Sequence, residues 1–545
     1  MAEFESGSSS VGALFQDQFY RVPSYQRPYS WDDDNFDDLV SDTRDADRAK
    51  PYFLGTIVLH KEADGTSIVV DGQQRLTSLL VLLACLRDAI DDPAFKSGLQ
   101  DKIVQQGRVI DGIPERVRLE VKDHEIFQKI VVTVGGTRSD FDQKDLSASE
   151  YRYLRACEIF HDRMSGLTED HKKEFVTFIN QKCVLIFLKA DSFDQAFRLF
   201  EVVNDRGKQL RRIDVLKSKN IGPDAIAQET VRNRLAQQWE SLESEIGEGN
   251  FESVFFLLRL ILVKDKPKGD LLSEFEGRVF SKNILSKGED FSAVLFEYVK
   301  LYRDIFIDKT YIDSDEKFGI RYQSLIHIMD QEFRASEWRA CILYFAKKFG
   351  RVGFYEFCVA VEKLFLTQWV NSVRKDERYA DYVRILSRIE EEKDSGRVID
   401  AVPHDKEAIQ RAIRRRDMYS AGYCKYVLLR LELVTSEHDV PKKFNAKSIE
   451  HVFPQTPADD SEWLKSHSRE DIPGFVNMVG NLVLISKSRN SIASNFDFEE
   501  KKKRYFKPRV TDYPRSYQLM AFSAWNRDVI VQRTEEAARM FLDDL

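Results

Sequence analysis

Near one end of the chain Ser448-Ile-Glu450-His451-Val-Phe-Pro454-Gln455 is answered by Gly480-Asn481-Leu-Val-Leu-Ile485 and then Asn490. Histidine is the side chain best placed to take a proton from water near neutrality. The adjacent carboxylate and a second amide oxygen are hard donors that suit Mg²⁺ or Mn²⁺. An ion held there stabilises charge that develops on a phosphate and its leaving oxygen. These residue types together suit metal-assisted cleavage of a phosphodiester. His451 is then the general base, and Glu450 and Asn490 the metal ligands. Asn481 completes the candidate catalytic set, more by tying the loop between two strands than by touching metal, and Pro454 turns the chain out of the first strand. A His-x-x-Pro alone is commonplace in loops, so the weight rests on the whole array. Lys501, Lys502, Lys503 and Arg504 follow. Such a run is usually a solvated face, but beside this array it is a candidate grip on DNA phosphates.

A second array lies at the other end. Val69-Val-Asp71-Gly72-Gln73-Gln74-Arg75-Leu76-Thr77 reads as a strand, a tight turn and a helix start. Unpaired N–H groups and the dipole of a first helical turn attract anions, and the Arg75 guanidinium adds a forked donor. The plain alternative is a well-capped structural helix. Two companions favour a ligand. Val22-Pro-Ser-Tyr25-Gln26-Arg27-Pro-Tyr29-Ser-Trp31 crowds polar donors among aromatics, a costly mixture to bury unless it is bonded. Phe200-Glu-Val-Val-Asn204-Asp-Arg206-Gly-Lys-Gln-Leu210, continuing to Asp214 and Lys217, reads as a helix end before a glycine stop. Asp71, Gly72, Gln73, Gln74, Arg75, Thr77, Asn204 and Arg206 are therefore the candidate anion site, suited to a nucleotide or a DNA phosphate. Tyr25, Gln26, Arg27, Tyr29 and Trp31 are candidates for sensing a DNA base by stacking and hydrogen bonding, although core packing is the commoner fate of such aromatics.

The elements that must position these groups change character along the chain. Phe53–Leu59, Ser67–Val70 and Val184–Leu188 are β-rich runs bounded by turns. Arg75 to Ile90 is a helix apolar nearly all round, hence buried. A helix is also expected over Asp194–Val203. Beyond Pro223 long amphipathic helices dominate: Val231–Ile246, Phe251–Val263, Phe291–Phe306 and Trp338–Lys363. The stretch Glu390–Lys406, with Gly396 and Pro403 among charges, is the best linker candidate. The expected division is 11–220, a helical 221–400, and 401–545, a multidomain α+β architecture.

Bulk properties set outer bounds. A chain of 545 residues exceeds one hydrophobic core. With 43% hydrophobic and 32% charged residues it is an ordinary globular composition. A net charge of -8 argues against a wholly basic, DNA-coating surface, though not against a local basic groove. The six cysteines form no CxxC pair, which favours reduced thiols in a cytoplasm. The acidic, Ser-rich start, Met1–Ser10, is no signal peptide and is expected to be a flexible tail or an expression remnant. No apolar run approaches membrane-spanning length.

Val-Pro-x-Tyr-Gln-Arg-x-Tyr-x-Trp, Asp-Gly-Gln-Gln-Arg-Leu-Thr and Phe-x-x-x-Asn-x-Arg-Gly-x-x-Leu resemble the N-terminal module of GmrSD-type modification-dependent restriction enzymes, and the turn is similar to that of ParB/sulfiredoxin-like folds. The Glu450-to-Asn490 array resembles their C-terminal ββα-metal (HNH) nuclease module, with an asparagine in place of a third histidine and without the flanking CxxC pairs of many such proteins. The family includes SspE-like phosphorothioate-associated defence nucleases. The resemblance implies an α/β N-terminal module that hydrolyses GTP or ATP and senses modified DNA, phosphorothioate or glucosylated hydroxymethylcytosine. It further implies an HNH module, set among helices, that nicks or cuts double-stranded DNA with Mg²⁺ or Mn²⁺. A homo-oligomer stays open. The rivals are a nucleotide-gated DNA-binding switch with a non-catalytic HNH domain and an RNA-cleaving toxin-like nuclease.

Overall fold

The computed structural model describes the chain except residues 1–3, 17, 63, 111, 143, 145, 192–194, 197–198, 200–210, 445–446, 487–494, 505, 507–512 and 542–545. It gathers into two compact units: 1–238 with 287–289, and 239–286 with 290–545. The division falls inside the helix Glu229–Ile246, and the long helices of the middle belong to the same unit as the C-terminal array.

The first unit is built on a mixed sheet of strands β1 (Phe4–Ser10), β2 (Tyr20–Arg21), β3 (Tyr52–Lys61), β4 (Ser67–Asp71), β5 (Leu119–Glu120) and β6 (Cys183–Ala190), in the order β1-β6-β3-β4-β2-β5. β1 pairs antiparallel with β6 along its whole length, Phe4 opposite Ala190 and Ser10 opposite Val184. The Ser-rich start is therefore an edge strand rather than a loose tail. A Cβ on Gly7 would come within 2.8 Å of the Phe187 ring, so glycine lets that ring lie across the strand. β6 runs parallel to β3, whereas β3 and β4 form an antiparallel pair.

Helix α1 (Asp33–Asp45) precedes β3, and helix α2 (Gln73–Ala89) follows β4 directly. Every side chain from Leu76 to Leu86 on α2 is buried, as an all-round apolar helix requires. Removing one large aliphatic group from water contributes roughly 1.5–3 kcal/mol, so this helix anchors the core. Helix α3 (Ala148–Met164) brings Tyr153 and Phe160 to the same cluster. The helix expected over Asp194–Val203 falls largely outside the described residues.

In the second unit Trp239 is buried against the rings of Phe251, Phe255 and Phe296, at 5.5, 5.5 and 6.3 Å. The continuous helix expected over Trp338–Lys363 is two, Trp338–Phe349 and Phe354–Val370. Gly350 and Gly353 between them take φ of +63° and +69°, which breaks the periodicity that apolar spacing alone suggests. The expected linker is also packed: it holds a short helix, Ser395–Asp400, and buries Val398 and Val402. Helix α4 (Cys424–Thr435) leads to strand β7 (Lys447–His451), which pairs antiparallel with β8 (Leu482–Ser486). Helices α5 (Phe498–Arg504) and α6 (Arg527–Met540) follow. Among the described residues no helix is long and apolar enough to cross a membrane. All the cysteines are buried and none is paired.

Candidate functional site

His451 ends β7 opposite Leu482, and Glu450 lies opposite Val483. Neighbouring residues on a strand point to opposite faces, so the base and the carboxylate diverge. The His451 imidazole Nε2 lies 3.0 Å from Asn477 Oδ1, and its ring meets Tyr419 edge-on at 4.5 Å. Asn477 Nδ2 donates in turn to Asp417 Oδ1 at 3.0 Å, and Gln455 Nε2 donates to Asn477 Oδ1 at 3.0 Å. Hydrogen bonds from Ser420 and Asn477 hold the Asp417 carboxyl below its usual range, so it stays an acceptor. Asn477 Oδ1 can only accept, so His451 carries its proton on Nε2 and presents Nδ1 as the basic atom. Burial pushes His451 down to about 4; the Asn477 hydrogen bond opposes this, and the Lys501 charge adds to it. The imidazole is neutral at physiological pH.

On the other face Lys501 Nζ donates to Glu450 Oε1 at 2.7 Å and to the His451 carbonyl at 2.6 Å. Lys501 is 1% exposed and Glu450 7%. Lys501 is thus no open phosphate grip, and burial lowers its pKa against the pull of Glu450. Lys502 also turns inward, to the Phe522 carbonyl and Glu499. Only Lys503 and Arg504 are exposed, Arg504 paired with Glu500. A carboxylate and a carbonyl that converge on an ammonium are hard donors that already seat a cation, which is the chemistry Mg²⁺ or Mn²⁺ requires. An ion would share or displace that ammonium. Asn490, the other expected ligand, lies outside the described residues. Among the described residues no three His, Cys, Asp or Glu side chains gather as a metal group.

Asn481 is fully buried, and its amide is saturated. Oδ1 accepts from Phe453 N and Trp525 Nε1, and Nδ2 donates to the carbonyls of Phe453 and Val476. It ties the loop out of β7 to the turn before β8 and cannot reach a substrate, which corrects its place in the catalytic set. Gly480 beside it has a packing reason: a Cβ there would sit 2.1 Å from Ile530 O on α6.

At the other array Gly72 caps α2 with φ +90°, and a Cβ on it would meet Ile57 Cγ2 at 2.5 Å. Gly55 (φ +111°) leaves room for Arg75, whose Cζ would lie 2.7 Å from a Cβ there; Arg75 Nη1 donates to Thr56 O at 2.8 Å. Burial lowers the Arg75 pKa and Asp71 raises it; burial raises Asp71, against the Gly72 N–H, Arg75 and Arg27. An acid and two arginines therefore surround a helix N-terminus that has no side-chain cap.

The glutamines do something the sequence reading missed. Gln73 Nε2 donates to the Arg27 carbonyl, and Gln74 Nε2 to that of Pro28. Gln74 Oε1 accepts from the N–H groups of Ser30 and Trp31, at 2.7 and 3.1 Å. Gln26 Nε2 donates to the carbonyls of Val69 and Val70, both at 3.0 Å. An irregular, proline-interrupted segment has backbone groups that no ladder pairs, and neutral amides satisfy donor and acceptor alike. Tyr25 and Tyr29 are buried, Tyr29 stacked on Tyr153 at 4.7 Å with its hydroxyl bonded to Ser78. They are core, not open stacking platforms, and Trp31 is half-buried. The cavity between this segment, Gln73, Gln74 and the buried Thr77 is only about 20 Å³, room for a water and not a base. A larger cavity, about 410 Å³, is lined by Val22–Tyr25 together with Arg21, His60, Lys122 and Arg232. Asn204 and Arg206 lie outside the described residues.

Residues 11–221 match the family model of the GmrSD restriction endonuclease N-terminal domain, and residues 403–540 match that of the C-terminal domain. The chain belongs to the GmrSD restriction endonuclease family. No curated protein matches it. Membership makes this a restriction-type defence nuclease, with one array in each GmrSD segment and a helical stretch between them that neither model covers. The C-terminal GmrSD segment contains His451, Glu450, Asn481 and Lys501, and also Asp417, Tyr419 and Asn477, which no motif spacing announces.

Proposed function

We propose that this chain is a bacterial anti-phage DNA endonuclease. Its β7–β8 hairpin and α5 would form an HNH-type nicking centre, and its ParB/sulfiredoxin-like N-terminal module would hydrolyse GTP or ATP and respond to modified DNA. The observation that carries the reading is the neutral His451 imidazole, oriented by Asn477 at the end of β7. Water at Nδ1 gives its proton to the ring; the water oxygen bonds to phosphorus as the P–O bond to the leaving sugar oxygen breaks, and that oxygen takes a proton from solvent. Asn477, held by Asp417, keeps the ring from turning its N–H toward the water. Mg²⁺ or Mn²⁺, held by Glu450 with Asn490, would supply positive charge for the phosphate and leaving oxygen.

The N-terminal assignment is supported by a helix start that has no side-chain cap, beside Arg75, Asp71 and Arg27. A rival has its own support. The buried Lys501–Glu450 pair suits a hairpin kept only for structure, in a nucleotide-gated DNA-binding switch. Incubation of the full chain with supercoiled plasmid and Mg²⁺, with and without GTP or ATP, separates the two. Nicking that His451→Ala abolishes supports the nuclease, and absence of nicking on unmodified, phosphorothioated and glucosylated DNA alike favours the switch.

A further inference from the structure

The loop that carries Asp417 and Tyr419 begins with a concentration of positive charge. Between Ala408 and Arg416 there are four arginines and no acid, in a chain whose net charge is -8. Arg411 and Arg414 have carboxylate partners, Glu407 at 3.5 Å and Glu535 at 2.9 Å. Among the described residues Arg415 and Arg416 have none. Both are exposed; Arg415 Nη1 donates to the neutral Tyr423 hydroxyl at 3.3 Å, and Arg416 makes no ion pair or hydrogen bond among the described residues. Asp417, next in the chain, is already engaged by Ser420 and Asn477. Adjacent like charges repel, and an anion that binds both relieves the repulsion. The other cationic run of this unit supplies less: Lys501 is turned onto Glu450 and Lys502 onto the Phe522 carbonyl.

The loop is pinned to the imidazole. Met418 N and Tyr419 N both donate to the Asn477 carbonyl, at 3.0 and 3.2 Å. The Asn477 side chain meanwhile bonds His451 on one side and Asp417 on the other. One residue thus fixes the loop and the imidazole to each other. Tyr419 stands at their junction: its ring meets His451 edge-on yet stays 42% exposed. An open aromatic ring beside an unpaired basic pair offers an apolar surface for a sugar next to cations for phosphate, the two components that alternate along a nucleic-acid strand. We propose that Arg415 and Arg416 bind adjacent phosphates of the DNA strand presented to His451, with the Tyr419 ring against the deoxyribose nearest the imidazole. The proposal rests on the nuclease reading above and names the residues that hold its substrate. Contacts of this kind set where the strand lies and leave the bases unread.

The test is fluorescence anisotropy of the whole chain on a labelled DNA duplex of arbitrary sequence, across a range of salt and without divalent metal, so that nothing is cut. Each phosphate contact contributes about 0.9 to the slope of log affinity against log salt. Arg416→Gln should lower that slope by about 1, and Arg415→Gln combined with Arg416→Gln by about 2. A merely structural effect would weaken binding without a change of slope. Tyr419→Ala should weaken binding roughly fivefold at an unchanged slope, with Tyr419→Phe close to wild type. A disturbed imidazole alone would lower nicking and leave this metal-free affinity as it was, so unaltered affinity in Tyr419→Ala overturns the part assigned to the ring. An unchanged slope in Arg416→Gln overturns the proposal, and that exposed guanidinium has no partner whose loss could unfold the chain. A slope that falls on an RNA duplex but not on DNA overturns it too. The nuclease reading fails separately: if wild type does not nick plasmid with Mg²⁺ or Mn²⁺ while the slope falls as stated, the strand contacts stand and the cleavage chemistry does not.

Discussion

The chemistry of the C-terminal site turns on how one histidine is kept neutral. His451 is pushed down to about 4, whereas the unfolded chain binds the same proton near the ordinary 6.5. Its folded value is depressed and its neutral form is preferred, so the unfolded state binds more protons between those values. Its contribution to stability therefore falls as pH drops from about 6.5 toward about 4, and is constant above. The acid limb of nicking should likewise lie well below neutrality. His451→Ala should lower the cleavage rate by about 10²–10⁴, and a plasmid assay that shows undiminished nicking would remove it from the mechanism. Asn477→Leu should leave the general fold intact yet lower the rate, because the ring loses the acceptor that fixes its tautomer.

Lys501 invites the converse test. Lys501→Met leaves Glu450 buried without its cation, and loss of one partner of a buried pair costs about 3–5 kcal/mol. The same change removes a positive charge near His451 and should raise its acid limb. If Glu450 also binds metal, Mg²⁺ should recover part of the lost melting temperature in this variant and little in wild type. A melting temperature indifferent to Mg²⁺ in both would take Glu450 out of the metal site.

At the scale of elements, the residue chemistry in the sequence was readable wherever one strand or turn contains it. Glu450 and His451 sit on a hairpin, and Asn481 in the turn before its second strand, the unbroken apolar run Leu482–Ile485; the Asp71–Arg75 turn is visible from its glycine and the apolar run behind it. What tertiary packing assembles was not readable. Asp417 and Tyr419 come from a loop before α4, and Asn477 from the connector between β7 and β8. Four consecutive cations look solvated until α5 turns Lys501 inward. The split after Phe349 shows the same limit, because apolar spacing runs through Gly350 and Gly353 while the backbone does not. The glutamines of the N-terminal turn illustrate it most sharply. Their neighbours suggested a phosphate cradle, but their amides clamp residues 27–31. Gln74→Ala should therefore lower the melting temperature, since two N–H groups and a carbonyl lose their partner together, at about 1–3 kcal/mol for each buried group left unsatisfied. Unchanged thermal stability in Gln74→Ala would show that the clamp is dispensable.

For the whole molecule the question is why the proposed anion-binding turn and the proposed nuclease array share one chain. The family segments carry one each, and a hydrolytic centre that acted on any DNA would damage the cell that makes it. A ligand at one site can alter the other only if it binds two arrangements of the protein with different affinity. A typical coupling of about 1–3 kcal/mol changes the competent population by roughly 5–150-fold. The 545-residue chain should accordingly nick at a rate that changes with GTP or ATP, and by different amounts on unmodified, phosphorothioated and glucosylated DNA. In Arg75→Ala that dependence on nucleotide should disappear, because the guanidinium at the start of α2 is gone. The comparison is of initial nicking rates, with and without nucleotide, for both proteins on all three substrates. Identical rates for the wild-type chain under every condition would mean that the two centres work independently.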